Sequence, residues 1–262
     1  MTLVHQTTDR FGAIEVHETN GLRTLQFGNH IRQSALDREH PERLAMHSSR
    51  RLVAGLLFQP VPNRILLLGL GGGVLARYFL KYFPGIQITA IEKRSMVVRV
   101  AHDYFDLPEE HPRLDIRVDD AYRFLKKNQR IGQRYDLVVV DLFGAHGADQ
   151  ILSNRQAGKF FSLAYGSLAA KGALTCNFWR REFPRYFAPG TPFRHAFPGR
   201  QSLQMPTPIG NVVLLGLHSG VIRTGHIQPL RLERKKLLER IPALRPLTVE
   251  MMAYNPHFFS KK

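Results

Sequence analysis

Residues 64–74 read Arg64-Ile65-Leu66-Leu67-Leu68-Gly69-Leu70-Gly71-Gly72-Gly73-Val74, and residues 86–92 read Ile86-Gln87-Ile88-Thr89-Ala90-Ile91-Glu92. The first apolar run is too short for a helix and ends in glycines, so it predicts a buried strand and a tight turn. Val74 to Phe83 predicts a helix, and Ile86 to Ile91 a second strand. Strand, glycine turn, helix and strand make a βαβ unit, the building block of a parallel sheet.

The same alternation continues in both directions. Ser95 to Tyr104 predicts a helix, Leu114 to Val118 a third strand ending in Asp119-Asp120, and Tyr122 to Lys127 the start of another helix. Tyr135 to Val140 is a fourth strand ending at Asp141. Gln156 to Leu168 is helical, Gly172 to Phe178 a fifth strand, Gln201 to Met205 a sixth and Asn211 to Leu217 a seventh. Leu230 to Ile241 is a charged helix. Upstream, Glu42 to Phe58 predicts a helix stopped by Pro60 and Pro62. From Phe11 to Leu36 short alternating strands flank Asn20-Gly21, a hairpin turn signal. The expected fold is α/β: a doubly wound, seven-stranded, Rossmann-like sheet with a small N-terminal β-unit. The expected divisions are a hairpin unit at 1–40, a nucleoside-binding catalytic domain at 41–229, and a basic helix and tail at 230–262.

Composition excludes several classes. A chain of 262 residues with 44% hydrophobic and 22% charged side chains is neither disordered nor collagen-like. The N-terminus lacks the basic start and apolar core of a secretory signal. Ile65 to Ala76, the longest apolar stretch, is interrupted by four glycines and is too short to span a bilayer. The lone Cys176 forms no internal disulfide, so a cytoplasmic location and no membrane are expected. The net charge of +16 is uneven, because residues 151–262 hold 17 basic and four acidic side chains. Such an excess suits nucleic acid, an acidic metabolite or an anionic partner, or it only aids solubility. Its scatter favours solvated faces over one nucleic-acid groove.

Ligands of open α/β sheets bind outside the carboxyl ends of the strands. Those ends carry Gly69, Gly71 and Gly73, then Glu92, Asp120 and Asp141. Glycines let the backbone approach a ligand closely, although such turns also merely connect strand to helix. Glu92 can accept hydrogen bonds from a ribose diol. Asp120 can accept one from an adenine amino group, or cap the following helix, or do both. Asp141 follows an apolar run that would desolvate a misplaced charge. Together these acids form an adenosyl-nucleoside signature. The twelve histidines show no paired metal-ligand spacing, so no metal is expected. Neither a Gly-x-Ser-x-Gly elbow nor a phosphate loop occurs. Cys176 reads as a small buried residue. Phe183 to Arg200 reads as a packed crossover or, less simply, as a base-stacking segment.

At these residues the sequence resembles the polyamine aminopropyltransferases, the spermidine synthase family, from about Phe11 to Leu217. That family's sheet is of the S-adenosylmethionine-dependent methyltransferase type. Asn29-His30-Ile31-Arg32-Gln33 is similar to the family's Asp-Gly-x-x-Gln segment, which implies that Gln33 approaches the nucleoside donor. The resemblance implies that Glu92 binds ribose, that Asp120 reads adenine, and that Asp141 helps remove a proton from the attacking amine. It implies S-adenosylmethionine or decarboxylated S-adenosylmethionine as the donor. A homodimer is the expected assembly.

Departures from the family pattern bear on the acceptor. An aspartate of the glycine loop falls on Gly72, and a second carboxylate after the fourth strand falls on Gly144. A Tyr-Gln pair of the preceding helix stands as His47-Ser48, and Arg51 shares a helical face with His47. Two lost charge-assisted contacts would cost a cationic acceptor on the order of 3–6 kcal/mol, or about 10²–10⁴ in affinity. His47 and Arg51 would add repulsion if they faced the same pocket. Another acid, Asp149, is the candidate replacement. The expected function is transfer of an aminopropyl or methyl group to an unidentified acceptor. Two alternatives stand beside it: a methyltransferase acting on an anionic or nucleic-acid acceptor, and a non-catalytic nucleoside-binding or interaction protein.

Overall fold

The computed structural model describes residues 1–28, 30–142, 154–182, 188, 190–219, 221 and 231–255, the side chains of 154–156, 182, 200 and 231 excepted. Four strands open the chain as an antiparallel meander: β1 (Thr2–Asp9), β2 (Gly12–Thr19), β3 (Leu22–Gln26) and β4 (Arg32–Asp37). Asn20 and Gly21 both take left-handed φ, 48° and 74°, which is the turn that matches the twist of a hairpin. Strand β1 lies outside the stretch expected to be extended. Its side chains are mostly exposed, so no apolar alternation announces it.

The helix expected over residues 42–58 is shorter and tighter. α1 covers His47–Leu52, and a 3₁₀ segment follows over Val53–Leu57. Two contacts account for the change. The Thr175 hydroxyl donates to the Leu52 carbonyl at 2.7 Å. Gly55 lies against the side chain of Leu137, with no room for a Cβ.

The main sheet holds β5 (Arg64–Leu68), β6 (Gln87–Glu92), β7 (Leu114–Val118), β8 (Tyr135–Val140), β9 (Leu168–Trp179), β10 (Ser202–Pro206) and β11 (Asn211–Leu217). Their order is β10-β11-β9-β8-β5-β6-β7. All neighbours pair in parallel except β11, which runs antiparallel to both β9 and β10. The chain therefore leaves β5 toward β6 and β7, then returns to the other side of β5 with β8. A crevice opens at such a reversal.

Helices cover both faces. Ile65 and Leu67 of β5 point into a core built with α2 (Val74–Tyr82), the 3₁₀ segment, α7 (Arg231–Arg240) and α8 (Arg245–Tyr254). Leu66 and Leu68 point the other way, onto α4 (Ala121–Ile131), α5 (Asn154–Gly166) and α6 (Pro192–Ala196). The period-two alternation of side chains fills both layers from one apolar run. Helix α8 was not expected, since only the charged stretch before it reads as helical. The N-terminal sheet packs Ile14, Val16, Leu25 and Leu36 on Val97 and Val100 of α3 (Ser95–Phe105). That packing sets β4 above the glycine turn. Among the described residues no helix is long and apolar enough to cross a membrane.

Candidate functional site

The glycine turn is shaped by its backbone. Gly69, Gly71 and Gly73 take φ of 95°, 55° and 70°, a region costly for other residues. A Cβ on Gly69 would run into the Asp141 carbonyl, and one on Gly73 into Leu107. One on Gly71 would stand 3.5 Å from Ser34 and 3.9 Å from the Gln33 carbonyl of β4. The turn thus sits between Asp141 on one side and Gln33 on the other. The Gln33 side chain is half-buried and its amide donates to the Ile31 carbonyl at 3.4 Å.

Glu92 closes β6 beside this turn. Its Oε2 accepts from the Leu70 amide at 3.1 Å and its Oε1 from the Arg94 amide at 3.0 Å. A hydroxyl donor would use the acceptor capacity that the main-chain amides leave on these oxygens. Burial pushes the Glu92 carboxyl above its ordinary value, opposed by the amides of Arg94, Leu70, Gly71 and Lys93. The next two residues fix the surroundings. Lys93 Nζ stands 3.5 Å from Asp120 Oδ2. Arg94 is buried and binds Asp9 and the Gly12 carbonyl.

Asp120 begins α4 and caps it. Its Oδ1 accepts from the Tyr122 and Arg123 amides at 3.0 and 3.1 Å. The cap therefore occupies one oxygen, and Oδ2 is turned toward Lys93. Neighbouring Asp119 is a structural acid. Burial raises its carboxyl, but Arg123, the Asp120 amide and Lys127 together bring it below its ordinary value.

Asp141 follows β8, its amide bonded to the Leu68 carbonyl at 2.9 Å. Burial pushes its carboxyl up to about 6, against the opposing hydrogen bond from Asn177. Asn177 Nδ2 donates to Asp141 Oδ1 at 3.0 Å. Neither Asn177 nor Lys93 and Arg94 was singled out from the sequence. One signal was present: Asn177 is an amide within the otherwise apolar run Ala173 to Phe178. Cys176 is buried, as expected, and both burial and Asp141 push its thiol up.

The departures look different in three dimensions. Gly72 has ordinary negative-φ backbone, yet a Cβ there would stand 2.7 Å from the Phe105 ring and 3.0 Å from the Ser34 hydroxyl. The space of the missing aspartate is filled by other side chains. Gly144 and Asp149 lie outside the described residues. Arg51 is buried, and its Nη2 stands 2.8 Å from Glu250 of α8. The expected repulsion from Arg51 is corrected accordingly, because Glu250 answers its charge. Phe193 and Phe197 are fully buried against Phe161 and Tyr165, the packed arrangement of the two considered for their segment. Among the described residues no cluster of metal-ligating side chains forms.

Residues 49–176 match the family model of the spermine/spermidine synthase domain. Over these residues the chain is similar to the spermine/spermidine synthase family. A polyamine aminopropyltransferase of Neisseria meningitidis serogroup A is 28% identical over 211 residues, covering 80% of this chain and 77% of that protein. Among solved structures, a probable spermidine synthase from Corynebacterium glutamicum superposes with a TM-score of 0.68 at 21% identity, over 83% of this chain and 81% of that one. A spermidine synthase in complex with the transition-state analogue AdoDATO superposes with a TM-score of 0.60 at 14% identity, over 82% and 73%. These superpositions establish the fold.

Proposed function

We propose that this protein is a transferase that binds an S-adenosylmethionine-type nucleoside, with decarboxylated S-adenosylmethionine as the donor of an aminopropyl group. Glu92 carries the reading: a desolvated carboxylate, oriented by the Leu70 and Arg94 amides, stands beside a turn too tight for side chains. Ribose hydroxyls would use its remaining acceptor capacity. The Asp120 Oδ2 would accept from the adenine amino group, displacing Lys93. Gly69, Gly71 and Gly73 would let the nucleoside lie against the backbone, and Gln33 would cover it from β4.

Asp141 then serves the acceptor. An amine lone pair attacks the carbon bound to the sulfonium, a carbon–nitrogen bond forms, and the carbon–sulfur bond breaks. The thioether 5′-methylthioadenosine leaves, and the proton released from nitrogen passes to the Asp141 carboxylate. A base that titrates near 6 is ionised at neutral pH yet still basic enough to take that proton. The positively charged sulfur makes most of the remaining catalysis a matter of positioning. The acceptor is unidentified, and putrescine should be a poor one, since Gly72 offers no carboxylate to a second ammonium. We further propose a homodimer, with an N-terminal unit at 1–40, a catalytic domain at 41–229 and a basic segment at 230–262.

The test is incubation with decarboxylated S-adenosylmethionine and a panel of mono- and polyamines, followed by mass spectrometry. Amine-dependent release of 5′-methylthioadenosine, lost in Asp141→Asn, is expected. If neither S-adenosylmethionine nor 5′-methylthioadenosine binds at millimolar concentration, the reading is wrong.

A further inference from the structure

Two amides line up behind Asp141. Asn177 of β9 donates through Nδ2 to Asp141 Oδ1 at 3.0 Å. Asn211, the first residue of β11, donates through its own Nδ2 to Asn177 Oδ1 at 3.1 Å. We infer that Asn177 and Asn211 are positioning residues that act in series to orient the Asp141 carboxylate and hold it ionised in the buried crevice.

Strand register brings the three together. Val140 pairs with Cys176, so the next residues, Asp141 and Asn177, are neighbours. Val213 pairs with Asn177 and Asn211 with Trp179, which makes Asn211 a diagonal neighbour on the same face as Asn177. An asparagine amide can turn its nitrogen to an ionised carboxylate or its oxygen to the protonated acid. The Asn211 donor selects the orientation, because it needs the Asn177 oxygen and so turns the nitrogen to Asp141. Asn211 is itself anchored. Its backbone N–H donates to the Ile209 carbonyl at 2.8 Å and its backbone carbonyl accepts from the Thr207 N–H at 2.8 Å.

The electrostatic setting gives this relay an effect to exert. Burial raises the Asp141 carboxyl, and Asn177 is the group that opposes the rise. Among the described residues, β5 and the turn after it meet Asp141 at its backbone, the Leu68 carbonyl accepting from its amide and Gly69 lying against its carbonyl. β9 adds the Cys176 thiol, kept protonated by burial and by Asp141. Glu92 of β6 is turned to the Leu70 and Arg94 amides. A neutral donor stabilises the carboxylate without the fixed charge that would repel an ammonium acceptor. The catalytic part of this inference rests on the aminopropyl-transfer reading; its titration part does not.

The experiment follows the Asp141 carboxyl by NMR in protein labelled with carbon-13 at aspartate side chains, assigned by the signal lost in Asp141→Asn. A midpoint near 6 is expected in the native chain. Asn177→Ala removes the donor and should raise the midpoint by about one pH unit. Asn177→Asp, which keeps the volume, should raise it further by placing a second acid there. Asn211→Ala should shift it in the same direction by less, and Asn177→Ser, a smaller donor, should restore part of the native value. With an active acceptor, the acid limb of the kcat profile should move by the same amount, while 5′-methylthioadenosine affinity holds. Midpoints unmoved in Asn177→Ala and Asn177→Asp would overturn the relay, whatever their melting temperatures. Absence of any transfer by the native chain would instead count against the aminopropyl reading, and the titration would still decide the relay.

Discussion

Arg94 grips Asp9 with two hydrogen bonds, Nε to Oδ2 at 3.0 Å and Nη2 to Oδ1 at 2.9 Å. The pair fastens the N-terminal sheet to the strand that ends in Glu92, two residues before the arginine. Both side chains are largely buried, and the guanidinium also lies 4.5 Å from the Phe27 ring centre. Removing one partner of a buried pair leaves the other charge uncompensated. Asp9→Ala should therefore destabilise the protein by about 3 kcal/mol and weaken nucleoside binding through the shifted Glu92. Arg94→Lys should rescue little, since a single ammonium cannot reproduce the forked contact. Thermal denaturation and calorimetry would check both, and an unchanged melting temperature in Asp9→Ala would refute the clamp.

Glu92→Ala should weaken 5′-methylthioadenosine binding by about 100-fold or more, through loss of two hydrogen bonds to an ionised group. Affinity should also fall with acidity. Burial raises the Glu92 carboxyl against the pull of the Arg94 and Leu70 amides, and only its ionised form accepts from a diol on both oxygens. Calorimetry on the acid side of neutrality should show the affinity declining earlier than an ordinary glutamate would allow. A pH-independent affinity would disprove the ribose assignment.

What could be read from sequence, and what could not, divides along local and non-local lines. The strands β5 to β8 and their terminal acids are legible because each is a short apolar run with an abrupt polar end. Val74–Tyr82 follows from local periodicity as well, and Arg231–Arg240 from its run of charged helix formers. The 3₁₀ turn at Val53 is not local: it depends on Thr175, 123 positions away, taking the Leu52 carbonyl. Asn177 acquires meaning only from the register of β9 beside β8. Arg94 reads as an ordinary surface cation until Asp9, 85 positions away, is placed against it. Gly72 reads as a missing charge, whereas Phe105 shows that its side-chain space is taken.

The basic excess of the C-terminal region should not produce tight nucleic-acid binding. Several of its cations serve the fold: Arg234 donates to the Leu57 carbonyl at 2.9 Å, and Arg240 lies 4.7 Å from the Phe83 ring centre. Gel shifts with RNA and DNA should show weak retention that dissolves at physiological salt. Retention that survives such salt would mean a built groove.

Asp141→Asn should abolish transfer and yet stabilise the protein above neutrality. The folded chain holds the Asp141 proton more tightly than the unfolded one, with a value raised from 3.8 to about 6 by burial. Stability from this group is complete below about pH 4 and is lost as pH rises through about 6. The amide cannot ionise, so it escapes that loss. At pH 8 the variant should be more stable by about 2 kcal/mol, and at pH 4 nearly equal to the native chain. Urea unfolding at the two pH values makes the comparison. Lower stability of the variant at pH 8 would mean that the carboxylate is better solvated than its burial implies.

Putrescine should be a poor acceptor, and restoring an aspartate at position 72 should not repair it. The backbone of Gly72 would accept a side chain, but its Cβ would press on the Phe105 ring, which is fully buried between α3 and the N-terminal sheet. Gly72→Asp should cost about 1–3 kcal/mol of stability through overpacking. It should add no spermidine, because the carboxylate cannot reach the crevice without displacing that ring. The assay compares native and variant proteins with decarboxylated S-adenosylmethionine and putrescine, with 5′-methylthioadenosine binding as the folding control. Efficient spermidine formation by the native chain would show that a different acid completes the acceptor site. A gain confined to Gly72→Asp would show instead that Phe105 yields, and that the glycine alone had kept diamines out.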